Sequence, residues 1–75
     1  MNSQSQKEYE PTEVENLLMD RLVQSGASQQ VGVGVMAILE EDEQRQKMMD
    51  WLKENPHPTG MQMIEKAMEL NPRQK

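Results

Sequence analysis

Residues 28–54 of the chain read SQQVGVGVMAILEEDEQRQKMMDWLKE, and the structure that they form determines the whole architecture. The alternation VGVGV at residues 31–35 has a period of two, which is typical of a strand. The spacing of Val31, Val35 and Ile38 instead places these side chains on one face of a helix. No second strand segment occurs elsewhere, and an unpaired strand leaves its backbone without hydrogen-bond partners. We therefore predict a helix; the alternative is a strand that pairs with a symmetric copy of the chain.

Two glycines interrupt this predicted helix, and each lowers its intrinsic stability by about 1 kcal/mol relative to alanine. In a helix, Gly32 and Gly34 would mark places where a neighbouring helix approaches the backbone closely. They do not indicate a nucleotide-binding loop, because the third glycine and the strand–helix context of such a loop are missing.

The polar residues 40–47 that follow contain good helix formers and no helix breaker. Two pairs of opposite charge have the i,i+4 spacing that stabilises a helix: Glu41–Arg45 and Glu43–Lys47. We therefore predict one helix over residues 28–54, about 40 Å long at 1.5 Å per residue. The alternative is a break near Glu40, after which the acidic cluster opens a separate helix.

Capping signals delimit one helix on either side of this segment. Thr12 and Glu15 form a capping box that begins a helix over residues 12–25, which Gly26 ends. Thr59 and Gln62 form a second box, which opens a helix over residues 60–70. Two Asn-Pro pairs end the second and third helices, because a residue that precedes proline disfavours α geometry: Asn55-Pro56 and Asn71-Pro72.

The predicted fold is all-α: a small unit of three helices, or of four if the central helix breaks. The 75 residues suffice for one domain, placed at residues 11–71, with flexible tails at residues 1–10 and 72–75. So small a domain needs additional stabilisation, and the absence of cysteine excludes disulfides. We therefore expect a dimeric helical bundle.

The charge balance argues against several kinds of partner. Thirteen acidic and eight basic side chains give a formal charge of -5 at pH 7. Nucleic acids and anionic membranes are bound through clustered Lys and Arg, so neither is expected here. No apolar run approaches the ~20 residues needed to span a bilayer. The first residues lack the basic and apolar segments of a secretory signal, so a cytoplasmic location is expected.

Catalytic and metal-binding patterns are weak. His57, the only histidine, lies between two prolines and has no catalytic partner at motif spacing. The consecutive acidic residues 40–43 would point in different directions on a helix, unlike the ligands of a calcium loop. We therefore predict that the protein is not an enzyme and that it has no catalytic residues, cofactor or metal.

The methionines and the single tryptophan indicate an interaction surface. Adjacent residues on a helix lie ~100° apart, so Met48, Met49, Trp51 and Leu52 cannot all face one thin core. Apolar side chains left uncovered mark protein interfaces, and tryptophan is a frequent anchor. The sequence therefore predicts a module that self-associates or binds a protein partner. The predicted partner-binding residues are Val31, Val35, Ile38, Met48, Trp51 and Met63.

A second hypothesis uses the negative charge. Small acidic helical proteins can occupy a basic, nucleic-acid-binding surface of a target protein by mimicking phosphates. The acidic face would comprise Glu40, Glu41, Asp42 and Glu43. Binding through this face should weaken steeply as the ionic strength rises, whereas apolar binding should weaken little.

A third hypothesis comes from a resemblance. Residues 48–56, MMDWLKENP, followed by Thr59, Ile64 and Leu70, resemble the first half of a winged-helix or helix-turn-helix domain. In those domains a helix ends at Asn-Pro and a threonine caps the next helix. The resemblance implies a DNA-binding accessory protein, in which the recognition helix would follow Leu70.

Overall fold

The structure is a computed structural model that describes residues 11–72, and these form four α-helices. The helices are α1 (Glu13–Gln24), α2 (Gln29–Ile38), α3 (Asp42–Glu54) and α4 (Gly60–Leu70). The all-α prediction is confirmed, since this part of the chain contains no strand, and the strand alternative at residues 31–35 is wrong. The tails predicted at residues 1–10 and 72–75 lie outside the described residues, apart from Pro72.

The four helices enclose one apolar core. Helices α2 and α3 each pack against both α1 and α4, so the main contacts form a ring in the order α1, α2, α4, α3. Leucine and methionine fill most of the core in place of the missing phenylalanine. Its buried members are Leu18, Leu22, Val35, Leu39, Met48, Met49, Leu52, Met63 and Ala67.

The single helix predicted over residues 28–54 is wrong, and the break near Glu40 that we kept as the alternative is correct. Helix α2 ends at Ile38, where Leu39 takes an extended conformation (φ -88°, ψ 107°). The reason is geometric: α1 has 12 residues, about 18 Å, and cannot cover both apolar ends of a helix about 40 Å long. The break folds α2 and α3 back so that Val35 and Met48 enter the same core.

Side chains satisfy the backbone groups that the break exposes. The Gln44 Oε1 atom accepts hydrogen bonds from the Glu40 N–H (3.0 Å) and from the Glu41 N–H (3.1 Å). At the other side, the Asn71 Nδ2 atom donates to the Ile38 carbonyl over 2.8 Å. Both helix ends at the break are thus capped, which removes the cost of unpaired backbone groups.

The capping signals were predicted correctly. The Glu15 N–H donates to Thr12 Oγ1 over 3.1 Å, and the Thr12 N–H donates to Glu15 Oε1 over 2.7 Å. Thr59 and Gln62 form the same reciprocal pair, with distances of 3.0 and 2.8 Å. Gly26 follows α1 with a φ of 94°, the left-handed conformation that glycine adopts at little cost.

The two glycines of α2 lie where neighbouring helices approach it, as predicted. A Cβ atom at Gly32 would lie 3.2 Å from the Met19 sulfur of α1. A Cβ atom at Gly34 would lie 3.1 Å from Ile64 Cδ1 of α4. Helix α2 therefore lies close to both α1 and α4. As a result, the three helices share one surface.

Asn71→Ala is expected to lower the free energy of unfolding by about 1–2 kcal/mol, because the Ile38 carbonyl loses its donor at a buried position. Asn55→Ala is the matched control. Asn55 ends α3 with nearly the same backbone angles, but it is exposed and its amide bonds only the Trp51 carbonyl within its own helix. Urea unfolding followed by circular dichroism measures both variants. Equal losses at the two positions would contradict the role assigned to Asn71.

Candidate interaction surface

Residues 22–39 form the longest uncharged segment among the described residues, between Arg21 and Glu40. They supply the end of α1 and the whole of α2. This contrasts with the chain as a whole, in which 28% of residues are charged. Exposed residues within this segment therefore create an uncharged area on an otherwise charged surface.

Five large apolar side chains in the described part of the chain are exposed: Leu17 (50%), Val23 (63%), Val33 (55%), Met61 (72%) and Met68 (41%). Val33 lies on α2, and the other four lie on the flanking helices α1 and α4. The helical register determines which of them share one surface.

On α1, Val23 lies one turn after Met19, and Met19 contacts α2 at Gly32, so both face the α2 side. On α4, the i, i+3, i+7 spacing aligns Met61 and Met68 with Ile64, which contacts α2 at Gly34. We call the shared surface the α2 face. It comprises Met19, Val23, Val33, Met36, Ala37, Met61, Ile64 and Met68. Leu17 lies outside it, since residues 17 and 19 are about 200° apart on the helix.

A groove of about 430 Å³ runs along this face between α1 and α2. Its apolar walls come from Met19, Val33, Met36 and Ala37, and its remaining lining residues are Pro11, Glu15 and Asn16. The Glu15 carboxylate also pairs with Arg45, which lies on α3. The groove is thus an apolar depression with few polar groups.

Half of the predicted partner-binding residues are core residues. Val35, Met48 and Met63 are almost fully buried, so their side chains have no surface left for a partner, and their assignment is corrected. Val31 and Ile38 are half-buried and pack against the core. Val31 lies near the start of α4, where its Cγ2 atom is 2.9 Å from the position of a Cβ at Gly60.

Trp51 is half-buried on α3, in a different place from Val31 and Ile38. It lines a depression with the turn residues Pro56 and His57, and another with Glu65 and Lys66 of α4. Helix α3 lies across the ring from α2. The structure therefore does not bring Trp51 together with the apolar residues of α2 on one surface.

The four residues of the predicted acidic face are exposed around the start of α3. The Asp42 carboxylate accepts hydrogen bonds from Arg45 Nη1 (2.6 Å) and from Thr12 Oγ1 (3.1 Å). Glu43 lies 3.7 Å from Lys47, in one of the predicted pairs. Part of this charge therefore stabilises the fold, and a role in binding stays a prediction.

Sequence reasoning missed the buried link between α1 and α3. Arg45 is buried, and its Nη2 atom lies 3.4 Å from Glu15 Oε2. With Asp42 and Thr12, these residues connect the starts of the two helices. In the sequence, Arg45 could be recognised only as a member of the i,i+4 pair Glu41–Arg45 on a solvated stretch of helix.

Other site types find little support in residues 11–72. No three acidic or histidine side chains there come close enough to hold a metal ion. His57 is exposed in the turn before α4. None of the four helices combines the length and the apolar character needed to cross a bilayer.

Comparison of the chain with protein-family models, curated proteins and solved structures finds no match. Helix α3 ends before Asn55-Pro56 and Thr59 caps α4, which is the local pattern on which the resemblance to half of a helix-turn-helix domain rests. The DNA-binding role that it implies stays a prediction.

Proposed function

We propose that the chain is a non-enzymatic protein–protein interaction module and that the α2 face is its binding surface. The observation that supports this proposal is the segregation of exposed apolar groups. Of the five exposed large apolar side chains in the described part of the chain, four lie on this face. The proposal keeps the type of function predicted from the sequence and moves the surface to α2. A cytoplasmic setting stays a prediction from the sequence.

The composition of the α2 face suits binding. Burying an exposed valine or methionine side chain contributes about 1.5–3 kcal/mol, and the face offers Val23, Val33, Met61 and Met68 together. The charged residue that lines its groove, Glu15, is buried and paired with Arg45, so a partner that covers the face need not desolvate an unpaired ion there. The apolar contribution can therefore offset the loss of translational and rotational freedom on association.

Site-specific photo-crosslinking in cells that produce the protein tests the proposal. p-Benzoylphenylalanine placed at position 33 or 61 should give a discrete protein adduct upon irradiation. The matched control is position 17, where Leu17 is about as exposed as Val33 but lies outside the α2 face. An adduct to any defined protein, including a second copy, supports the proposal. No adduct from positions 33 and 61, or equal adducts from position 17, would contradict it.

The acidic regulator is the alternative function, and it has less support. Its residues 40–43 are exposed, but Asp42 is engaged by Arg45 and Thr12. The two proposals differ in salt dependence. Binding through residues 40–43 should fall steeply between low and high ionic strength, and binding through the α2 face should change little.

The DNA-binding accessory has the least support. Helix α4 exposes Glu65 and Glu69, and Lys66, its one basic residue, lies 3.5 Å from Glu69. A helix that reads DNA needs basic side chains to contact phosphates.

A further inference from the structure

We infer that two copies of this chain can exchange their halves by opening the hinge, residues 39–41, between α2 and α3. In the exchanged dimer the hinge is helical, so α2 and α3 of one chain form a single helix. Helices α1 and α2 of each copy then pack against α3 and α4 of the other copy. This inference goes beyond the proposed function and does not depend on what covers the α2 face.

The packing that holds the fold together mainly joins one half of the chain to the other. Helix α1 packs chiefly against α3, and α2 packs chiefly against α4. Three polar links also join the two halves: Glu15–Arg45, Thr12–Asp42 and Ile38–Asn71. The same contacts form equally well between the halves of two copies, so an exchanged dimer changes only the hinge.

The hinge is short, and its sequence favours a helix. Three residues separate α2 from α3: Leu39, Glu40 and Glu41. Leucine and glutamate have high helix propensity, and residues 35–54 contain neither glycine nor proline. Leu39 follows the buried Val35 by four residues, so in a continuous helix it stays on the same face. A single chain must break here to close one core, but two copies need not.

Two side chains stabilise the break in the single chain only. The Asn71 amide donates to the Ile38 carbonyl at the end of α2, and Gln44 accepts from two backbone N–H groups before α3. In a continuous helix, the Ile38 carbonyl accepts the N–H of residue 42. The N–H groups that Gln44 binds then donate to carbonyls one turn earlier. Asn71 and Gln44 therefore favour the single chain over the exchanged dimer.

The exchanged dimer would present the α2 face twice. Each of its two cores combines α1 and α2 of one copy with α4 of the other, and these are the helices that form the face. A partner with two binding sites would therefore bind the dimer with higher avidity than the single chain. This consequence rests on the proposed function, whereas the exchange itself does not.

Substitution of Gln44 tests the exchange. The chain is unfolded, refolded at low micromolar to millimolar concentration, and analysed by sedimentation velocity. Gln44→Ala should raise the dimerisation constant about 100-fold, because a cap that contributes about tenfold per copy is lost in the single chain only. Gln62→Ala is the matched control. Gln62 caps α4 in the same way over 2.8 Å, and this cap is present in both forms, so the dimerisation constant should not change.

A distance measurement identifies the arrangement. The chain has no cysteine, so spin labels can be attached through Gln30→Cys and Lys53→Cys, both at exposed positions. In the single chain both labels lie near the end of α1, because α2 runs antiparallel to α1 and α3 runs parallel to it. In the exchanged dimer they lie about 35 Å apart on one helix. Dilution with unlabelled chain restricts the measurement to labels within one copy.

The outcomes separate this inference from the proposed function. A dimer with the long distance in Gln44→Ala supports the exchange. The exchange is overturned if Gln44→Ala forms no dimer at millimolar concentration, if Gln62→Ala dimerises equally, or if the dimer keeps the single-chain distance. The crosslinks from positions 33 and 61 are expected from the single chain as well, so they test the proposed function independently.

Discussion

Arg45→Met is expected to lower the free energy of unfolding by about 2–4 kcal/mol. The side chains of Arg45 and Glu15 are only 10% and 8% exposed, and they lie 3.4 Å apart between α1 and α3. Removing one member of a buried ion pair leaves the other charge uncompensated, which typically costs about 3–5 kcal/mol. We expect a somewhat smaller loss, because Glu15 still accepts the Thr12 N–H.

Urea unfolding followed by Trp51 fluorescence and circular dichroism measures this loss. Lys47→Met is the matched control: Lys47 pairs with Glu43 at 3.7 Å on the same helix, but the two side chains are 61% and 76% exposed. This exposed pair should contribute less than about 0.5 kcal/mol. A similar effect of the two substitutions would contradict the role assigned to Arg45.

A double-mutant cycle isolates the pair. Glu15→Gln keeps an oxygen that can accept the Thr12 N–H and removes the charge. It should destabilise the parent chain and should restore part of the stability lost in Arg45→Met. Additive effects would show that Arg45 does not stabilise the fold through its pairing with Glu15.

Leu39→Ala is expected to lower the free energy of unfolding by about 3 kcal/mol. Leu39 is fully buried in the break between α2 and α3, and truncation of a buried leucine leaves a cavity. Because Leu39 lies outside both helices, the high helix propensity of alanine gives no compensation. A core of this size supplies only about 3–5 kcal/mol in total, so much of the variant should be unfolded at 25 °C.

The fraction of folded chain and the urea midpoint measure the effect of Leu39→Ala. Leu17→Ala is the control, since Leu17 is a half-exposed leucine on α1, and it should cost less than about 1 kcal/mol. If Leu39→Ala were as stable as Leu17→Ala, the break would not depend on the burial of Leu39.

The parts of the fold that were predicted correctly depend on local chemistry. A capping box joins residues three positions apart, so Thr12–Glu15 and Thr59–Gln62 could be recognised in the sequence. The break after Ile38 could not be recognised in this way. It depends on the length of α1 and on a hydrogen bond from Asn71, which is 33 positions away. The intrinsic helix propensity of residues 40–47 favoured one continuous helix, but the packing of the helices around a common core outweighed it.

The sequence predicted that apolar side chains would remain exposed, but it did not predict which ones. The number of apolar residues indicated that some would remain exposed, but the register of each helix against its neighbours decides which ones. Val35, Met48 and Met63 turned inward, whereas Val33, Met61 and Met68 remained outside. One signal was present in the sequence: residues 22–39 contain no charge, which points to α2 more directly than the methionines do.

The two halves of the chain complete each other. Asn71, after α4, closes the end of α2, and Arg45, in α3, neutralises Glu15 of α1. The pair α1–α2 and the pair α3–α4 therefore each depend on a side chain from the other pair. We do not expect a stable folding intermediate in which one pair alone is formed. The chain should fold and unfold in a single cooperative step. The amide protons of all four helices should therefore become accessible to solvent exchange together.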